Sequence, residues 1–346
     1  MVKFKILMIG PLPPPIGGTT VSFQYLINEL RDKENIIIDT INTSNYKNWS
    51  KYRKLIIHLY KSIEGSQVVS LHVSSSSLPF IGIVILLICK YFNKPLIIRK
   101  FGGTDLNTLQ YFKRKLGWLA LKQSNLYLAQ TKELVKSSID NGIKHVEWYP
   151  TNRPDNLIGN KKNEYNNKYK RFVYIGAIRS EKGINEIINA GEKFDGDNVK
   201  IDLYGNADYD IEPENLCDLK NVNYKGKYNP ETVYNLIQDY DVLLLPSYYY
   251  GEGYPGVVIE ALRTGIPVIC TKWKALPELI DNTCGVLIEP KSSQSLYNAM
   301  NTIINNEEYY LKLSVGAKER GDLFSSKYWA DQFVKHCRSL IEEKNI

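Results

Sequence analysis

The stretch 241–271 reads DVLLLPSYYYGEGYPGVVIEALRTGIPVICT, an apolar run, a glycine-containing loop, a helical pattern and a second apolar run in immediate succession. Strand, helix and strand in a row are what a parallel pair needs for its crossover, so this segment argues for a parallel α/β layer arrangement. Pro255 opens the helix, where its missing N–H would have no helical partner. Gly265 and Pro267 close it. The first-turn amides of such a helix face outward at the positive end of its dipole, which favours anions. Glu252 lies in the loop just before that end, and Glu260 about one helical turn inside it. The combination suits an anionic, hydroxyl-rich ligand such as a sugar nucleotide.

The same alternation runs through the rest of the chain. KFKILMIG (3–10), ENIIIDTINT (34–43), QVVSLHVS (67–74), KPLIIRKFGG (94–103) and NLYLAQT (125–131) read as strands, with helical patterns between them. RFVYIGAI (171–178), VKIDLYG (199–205), DVLLLPS and PVICT form a second series. The polar, Asn- and Lys-rich stretch from Thr151 to Lys170 separates the two and reads as a linker. No sequence repeat is visible, yet the architecture repeats. A chain of 346 residues exceeds what one hydrophobic core organises. We therefore expect a domain over 1–160, a second over 161–324, and a terminal segment 325–346 with a helix near Lys327–Glu343.

Composition narrows the class. An apolar content of 43% with 23% charged residues is that of an ordinary globular chain. The opening MVKFKILMIG reads as a strand rather than a cleavable leader. Five scattered cysteines (Cys89, Cys217, Cys270, Cys284, Cys337) without CxxC spacing fit buried thiols in a reducing cytoplasm. Four histidines show no metal-binding spacing. The run PFIGIVILLIC (79–89) is too short to span a bilayer, where roughly 20 residues are needed, and is expected as a buried crossover helix. Within a modest net charge of +7, two basic-aromatic clusters stand out. One is Tyr111–Leu119, YFKRKLGWL; the other is Lys47, Lys51, Arg53 and Lys54 around Trp49 and Tyr52. Each fits a face resting on an anionic membrane, and equally a solvated helix whose aromatics turn inward. Nothing resembles a nucleic-acid-binding module.

Glu252-x7-Glu260, with Gly253-Tyr254-Pro255 between and Gly265-Ile266-Pro267-Val268 after it, resembles the donor-site signature of family 4 retaining glycosyltransferases. The resemblance implies a GT-B fold: two Rossmann-like parallel-sheet domains facing across a cleft, with the last helix crossing back to the first. It implies that no metal and no cofactor are used, a nucleotide diphosphate sugar being the co-substrate. It places Glu252 at the transferred sugar and Glu260 at the nucleotide ribose. The backbone of Gly253, Tyr254, Pro255, Gly256 and Val257 would hold sugar and diphosphate.

Further positions follow from the same resemblance. Gly176–Gly183 is similar to the family's diphosphate motif, with Lys182 at the position that neutralises the leaving diphosphate. Ala177 stands where the family has arginine, and Arg179 two residues on is the candidate substitute. Two cations there answer the charge that grows on a departing diphosphate. The Gly17-Gly18 loop, at a strand end before a helix, would approach the donor phosphates and the acceptor. It matches neither a Walker A loop nor GxGxxG. Phe101–Asp105 occupies the place of a His-Gly-x-Asp turn. Gly102 replaces the histidine, Arg99 or Lys100 could take part of its role, and Asp105 is an acceptor-side candidate. His72 could face the cleft, or be a satisfied strand histidine. Tyr204, Gly205 and Gly226 are expected as walls for the nucleotide base. The two DxD triplets, Asp208–Asp210 and Asp239–Asp241, are read as structural rather than metal-binding.

The resemblance thus implies transfer of a sugar to a hydroxyl of a surface-polysaccharide acceptor. A lipid-linked acceptor, on an enzyme peripheral to the inner membrane face, would give the basic-aromatic clusters a purpose. Two alternatives stay open: a sugar-nucleotide epimerase or phosphorylase on the same scaffold, and a catalytically silent partner subunit, which Gly102 and Ala177 keep in view.

Overall fold

The computed structural model describes residues 3–46, 49–155, 170–196, 199–207 and 210–344, and no side-chain detail for 49–52 and 231. Most of the expected linker, Lys47 and the first two residues of Asp208–Asp210 therefore lie outside the described residues. The chain separates into two compact units, 1–153 with 326–346, and 154–325.

In the first unit the strands are β1 (Phe4–Gly10), β2 (Ile36–Asn42), β3 (Val68–Ser74), β4 (Leu96–Phe101), β5 (Leu126–Ala129) and β6 (Val146–Trp148). They form one sheet in the order β2-β1-β3-β4-β5-β6, every pairing parallel. The short edge strand β6 has no counterpart in the sequence reading. β3 and β4 are buried almost along their whole length because helices cover both faces, which is why they read as continuous apolar runs. On one face Leu55, Leu59, Ile85, Leu86 and Leu121 pack onto Leu7, Leu71 and Ile98. On the other, the helix Gly18–Arg31 contributes Phe23, Leu26 and Leu30. The last helix, Ser326–Glu342, adds Trp329, Phe333 and Cys337 to that second cluster. Tyr149 donates its hydroxyl to the Trp329 carbonyl at 2.9 Å.

The second unit holds β7 (Lys170–Ile175), β8 (Val199–Tyr204), β9 (Val222–Gly226), β10 (Val242–Leu245), β11 (Val268–Thr271) and β12 (Gly285–Ile288). Their order is β12-β11-β10-β7-β8-β9, again all parallel. In each sheet the chain builds outward on one side of its first strand and then returns to the other side. The order reverses between β1 and β3 in the first unit, and between β7 and β10 in the second. Loops leaving the carboxyl ends of neighbouring strands diverge at such a reversal, which opens a ligand crevice.

One expectation needs correction. The helix built from PFIGIVILLIC, Leu78–Tyr91, is a crossover between β3 and β4, but it is not buried all round. Ile85, Leu86 and Cys89 face the sheet, whereas Phe80, Leu87 and Tyr91 are 56%, 62% and 73% exposed. An all-apolar helix has no polar stripe to mark its outer face, so its sequence overstates its burial.

Candidate functional site

The loops after β7 and β10 meet at the reversal point of the second sheet. Lys182 and Glu252 belong to these two loops, and Lys182 Nζ lies 2.7 Å from Glu252 Oε2. Ser247 donates its hydroxyl to the same carboxylate oxygen at 2.5 Å. The amine also sits 4.4 Å from the centre of the Tyr249 ring. The loops are tied further by the Tyr248 amide, which donates to the Glu181 carbonyl at 2.9 Å. Trp273 Nε1 donates to the Tyr249 carbonyl at 2.8 Å. Burial and the Glu252 charge hold the Tyr174 hydroxyl well above its ordinary range, so it stays a neutral donor to the Ala177 carbonyl at 2.7 Å.

Gly183 permits this approach of the loops. Its φ is +83°, and a Cβ there would lie 2.3 Å from the Pro246 carbonyl oxygen. The 180–183 turn can therefore press against the end of β10 only without a side chain.

The helix Gly256–Arg263 starts directly after this loop, with Pro255 extended at its N-terminal boundary. Its first amides have no acceptor within the helix. Val258, Ile259, Ala261 and Leu262 are fully buried. Both charged residues are buried too, Glu260 at 6% and Arg263 at 3% exposure. Arg263 is paired with Asp155 and donates to the Gly321 carbonyl at 3.1 Å. Tyr254 donates its hydroxyl to Glu278 at 2.6 Å, which fixes the loop ahead of the helix. The structure thus brings together Lys182, Glu252, Gly253, Tyr254, Pro255, Gly256 and Val257 along one loop-and-helix edge. Arg179 lies on the β7 loop, its Nη1 3.4 Å from Glu181.

Other predicted positions are engaged locally. Tyr204 ends β8, and its hydroxyl is 3.0 Å from that of Tyr240, which donates to Asp202 at 2.7 Å. Gly205 and Gly226 are joined by an amide–carbonyl bond of 2.8 Å at the ends of β8 and β9. In the first unit, Asp105 accepts from the Asn107 amide at 2.7 Å and from the Ser137 hydroxyl, capping a short turn. Gly17 and Gly18 begin the first helix, and a Cβ at either would meet nothing within 4 Å. Asp241 accepts from the Arg171 amide at 2.9 Å, and Asp210 from the Ser180 amide at 3.0 Å.

The suggestion that Arg99 or Lys100 fills in for a histidine at Gly102 is corrected by their burial. Arg99 lies between the Phe101 and Tyr149 rings at 4.7 and 4.4 Å, with burial lowering its pKa to about 10. Lys100 is spent inside its own turn, donating to the Thr104 carbonyl at 2.8 Å, Ser75 Oγ at 3.1 Å and the Gly102 carbonyl at 3.3 Å. Gly102 itself has φ +82°, a conformation that would strain a histidine.

Sequence reasoning missed Ser247, Tyr249 and Glu278. Ser247 carried a weak signal, since it ends the DVLLLPS strand where site residues gather. Glu278 had none, because only the folded loop brings it to Tyr254.

The second unit thus sets a cation–carboxylate pair beside a helix N-terminus at a parallel-sheet reversal, an arrangement found in α/β proteins. Comparison with known proteins carries the assignment further. Residues 158–320 match the model of glycosyl transferases group 1. An uncharacterized glycosyltransferase of Methanocaldococcus jannaschii is 25% identical over 99% of both chains. The O-antigen chain mannosyltransferase C of Escherichia coli is 27% identical over 50% of this chain and 48% of its own. Among solved structures, Anabaena HepE in complex with UDP superposes with a TM-score of 0.76 at 14% identity, covering 97% of this chain and 100% of that one. Sucrose-phosphate synthase from Thermosynechococcus elongatus gives 0.78 at 16%, over 99% and 100%. The structural likeness establishes a GT-B fold. With the family match and the named relatives, it makes the protein a transferase enzyme of the glycosyltransferase class.

Proposed function

We propose that the protein is a retaining, metal-independent glycosyltransferase. It moves a sugar from a nucleotide diphosphate sugar to a hydroxyl of a lipid-linked surface-polysaccharide acceptor at the cytoplasmic membrane face. The observation that carries this reading is the Lys182–Glu252 pair at the start of the loop leading into Gly256–Arg263. The amine and the first-turn amides offer positive charge to a diphosphate, and a donor that takes Lys182 frees the Glu252 carboxylate for the sugar. Glu260, one turn inside the helix, is assigned to the ribose.

In the reaction the bond from the anomeric carbon to the leaving phosphate oxygen breaks as the acceptor oxygen bonds to that carbon from the same face. The acceptor proton passes to the leaving phosphate oxygen. Lys182, assisted by Arg179, stabilises the charge that accumulates on the diphosphate, a role that elsewhere requires a metal ion. HepE has been solved with UDP and with UDP-glucose, and the mannosyltransferase relative is named for an O-antigen chain; both support a sugar-nucleotide donor and a surface glycan product.

Membrane contact has support in the first unit. On the helix Tyr111–Gln123, Tyr111 and Phe112 point outward at 61% and 67% exposure, beside Lys113, Arg114 and Lys115. The contact proposed is a peripheral one; among the described residues no helix is long and apolar enough to cross a membrane. The test of the whole reading is product analysis: a nucleotide diphosphate sugar, EDTA and an acceptor extract should yield a lipid-extractable glycoside with the donor's anomeric configuration. Inversion of configuration, dependence on added metal, or a rearranged sugar nucleotide would each overturn the corresponding part.

A further inference from the structure

The Lys182–Glu252 pair of the second unit is largely buried, its side chains 18% and 8% exposed. A diphosphate that recruits the amine must first draw it off the carboxylate. Separating a buried ion pair is costly when either charge is left without a partner. The loop 247–252 gives each charge a second contact.

Ser247 serves the carboxylate. It is fully buried, and its hydroxyl donates at 2.5 Å to Glu252 Oε2, the oxygen that also faces Lys182. The same hydroxyl accepts from the Tyr249 amide at 3.2 Å, which leaves its own proton for the carboxylate. The Thr271 hydroxyl donates to the Ser247 carbonyl and fixes the backbone beneath. A hydrogen bond to an ionised oxygen is stronger than one between neutral groups.

Tyr249 serves the amine. Its ring centre lies 4.4 Å from Lys182 Nζ, within the range of a cation–π contact. Its carbonyl accepts from Trp273 Nε1 at 2.8 Å and from the Glu252 amide at 3.1 Å, so its backbone is held. The ring edge packs on Gly251, where a Cβ would lie 2.8 Å from Cε1. Gly251 thus leaves the room that the ring occupies.

We propose, on the basis of the donor-site reading above, that Ser247 and Tyr249 are positioning residues for diphosphate capture. When the amine turns to a diphosphate, the Ser247 hydroxyl stays on Glu252 and the Tyr249 ring stays on Lys182. Neither charge is then left unpartnered, and each keeps its place while the pair opens.

The experiment is calorimetric titration of the full chain with UDP, GDP and ADP, following the one that binds most tightly. Ser247→Ala should weaken that binding about ten-fold, because drawing Lys182 away then strands the carboxylate. In a Glu252→Ala background, where no carboxylate is stranded, the same substitution should change it by less than about two-fold. Tyr249→Leu removes the ring and Gly251→Ala displaces it, so each should weaken binding about ten-fold. Tyr249→Phe should recover what Tyr249→Leu loses. A Ser247→Ala effect that persists undiminished without Glu252 would overturn the inference. So would Tyr249→Phe binding as weakly as Tyr249→Leu, or wild-type affinity in both Ser247→Ala and Tyr249→Leu. Lys182→Ala is the control for the site itself. If it binds as the wild type does, or if no diphosphate binds the wild type, the donor-site reading falls and takes this inference with it. If Lys182→Ala loses binding while the Ser247 and Tyr249 variants keep it, only this inference falls.

Discussion

At the scale of single residues, the account turns on two charges and several buried polar groups. Lys182→Ala or Glu252→Ala should reduce turnover about 10²–10³-fold, the usual effect of removing one donor to developing transition-state charge. Circular dichroism should stay unchanged; full activity in either variant would contradict the assignment. Lys100 gives a pH prediction. Burial lowers its amine to about 8, against roughly 10.4 in an unfolded chain. Below pH 8 both states carry the proton and the residue adds no slope. Between the two values only the unfolded chain binds it, so folding stability gains with rising pH. Denaturant titrations from pH 8 to 10 should show that gain, and Lys100→Met should flatten it. The thiols offer a simpler check. Cys217 is exposed while Cys89, Cys270, Cys284 and Cys337 are buried, with Cys89 pushed up to about 12. A thiol reagent should label Cys217 quickly in the native protein and the other four only after denaturation.

At the scale of elements, the contiguous parts were legible and the assembled parts were not. Glu252, Pro255 and Gly265 could be placed because strand end, loop, helix and helix stop follow one another along the chain, each with its own local chemistry. Lys182 could be placed because a Lys-Gly turn follows a strand. Their 2.7 Å contact bridges two loops 70 residues apart and depends on β7 lying beside β10, an order no local pattern encodes. The same holds for Ser247 on Glu252 and Glu278 on Tyr254. The element-level test is Gly183→Ala. Positive φ and the Pro246 carbonyl oppose any Cβ, so the variant should lose stability by about 1–3 kcal/mol and weaken nucleotide binding. An unperturbed variant would show that the two loops are not held as described.

At the scale of the molecule, two parallel-sheet units each place a crevice at a strand-order reversal. That of the second unit presents a cation, a carboxylate and helix amides. The returning C-terminal helix belongs to the first unit's core, where Phe333 is fully buried. Phe333→Ala should therefore cost about 3–5 kcal/mol in the unfolding of that unit. The measurement that tests the central claim most directly is a thermal-shift series of the purified protein with UDP, GDP, ADP and CMP and their sugars, each with and without EDTA, repeated on Lys182→Ala. The account predicts that one nucleoside diphosphate raises the melting temperature, that EDTA leaves the shift intact, and that Lys182→Ala removes most of it. No shift with any nucleotide, or one abolished by EDTA and indifferent to Lys182, would contradict it.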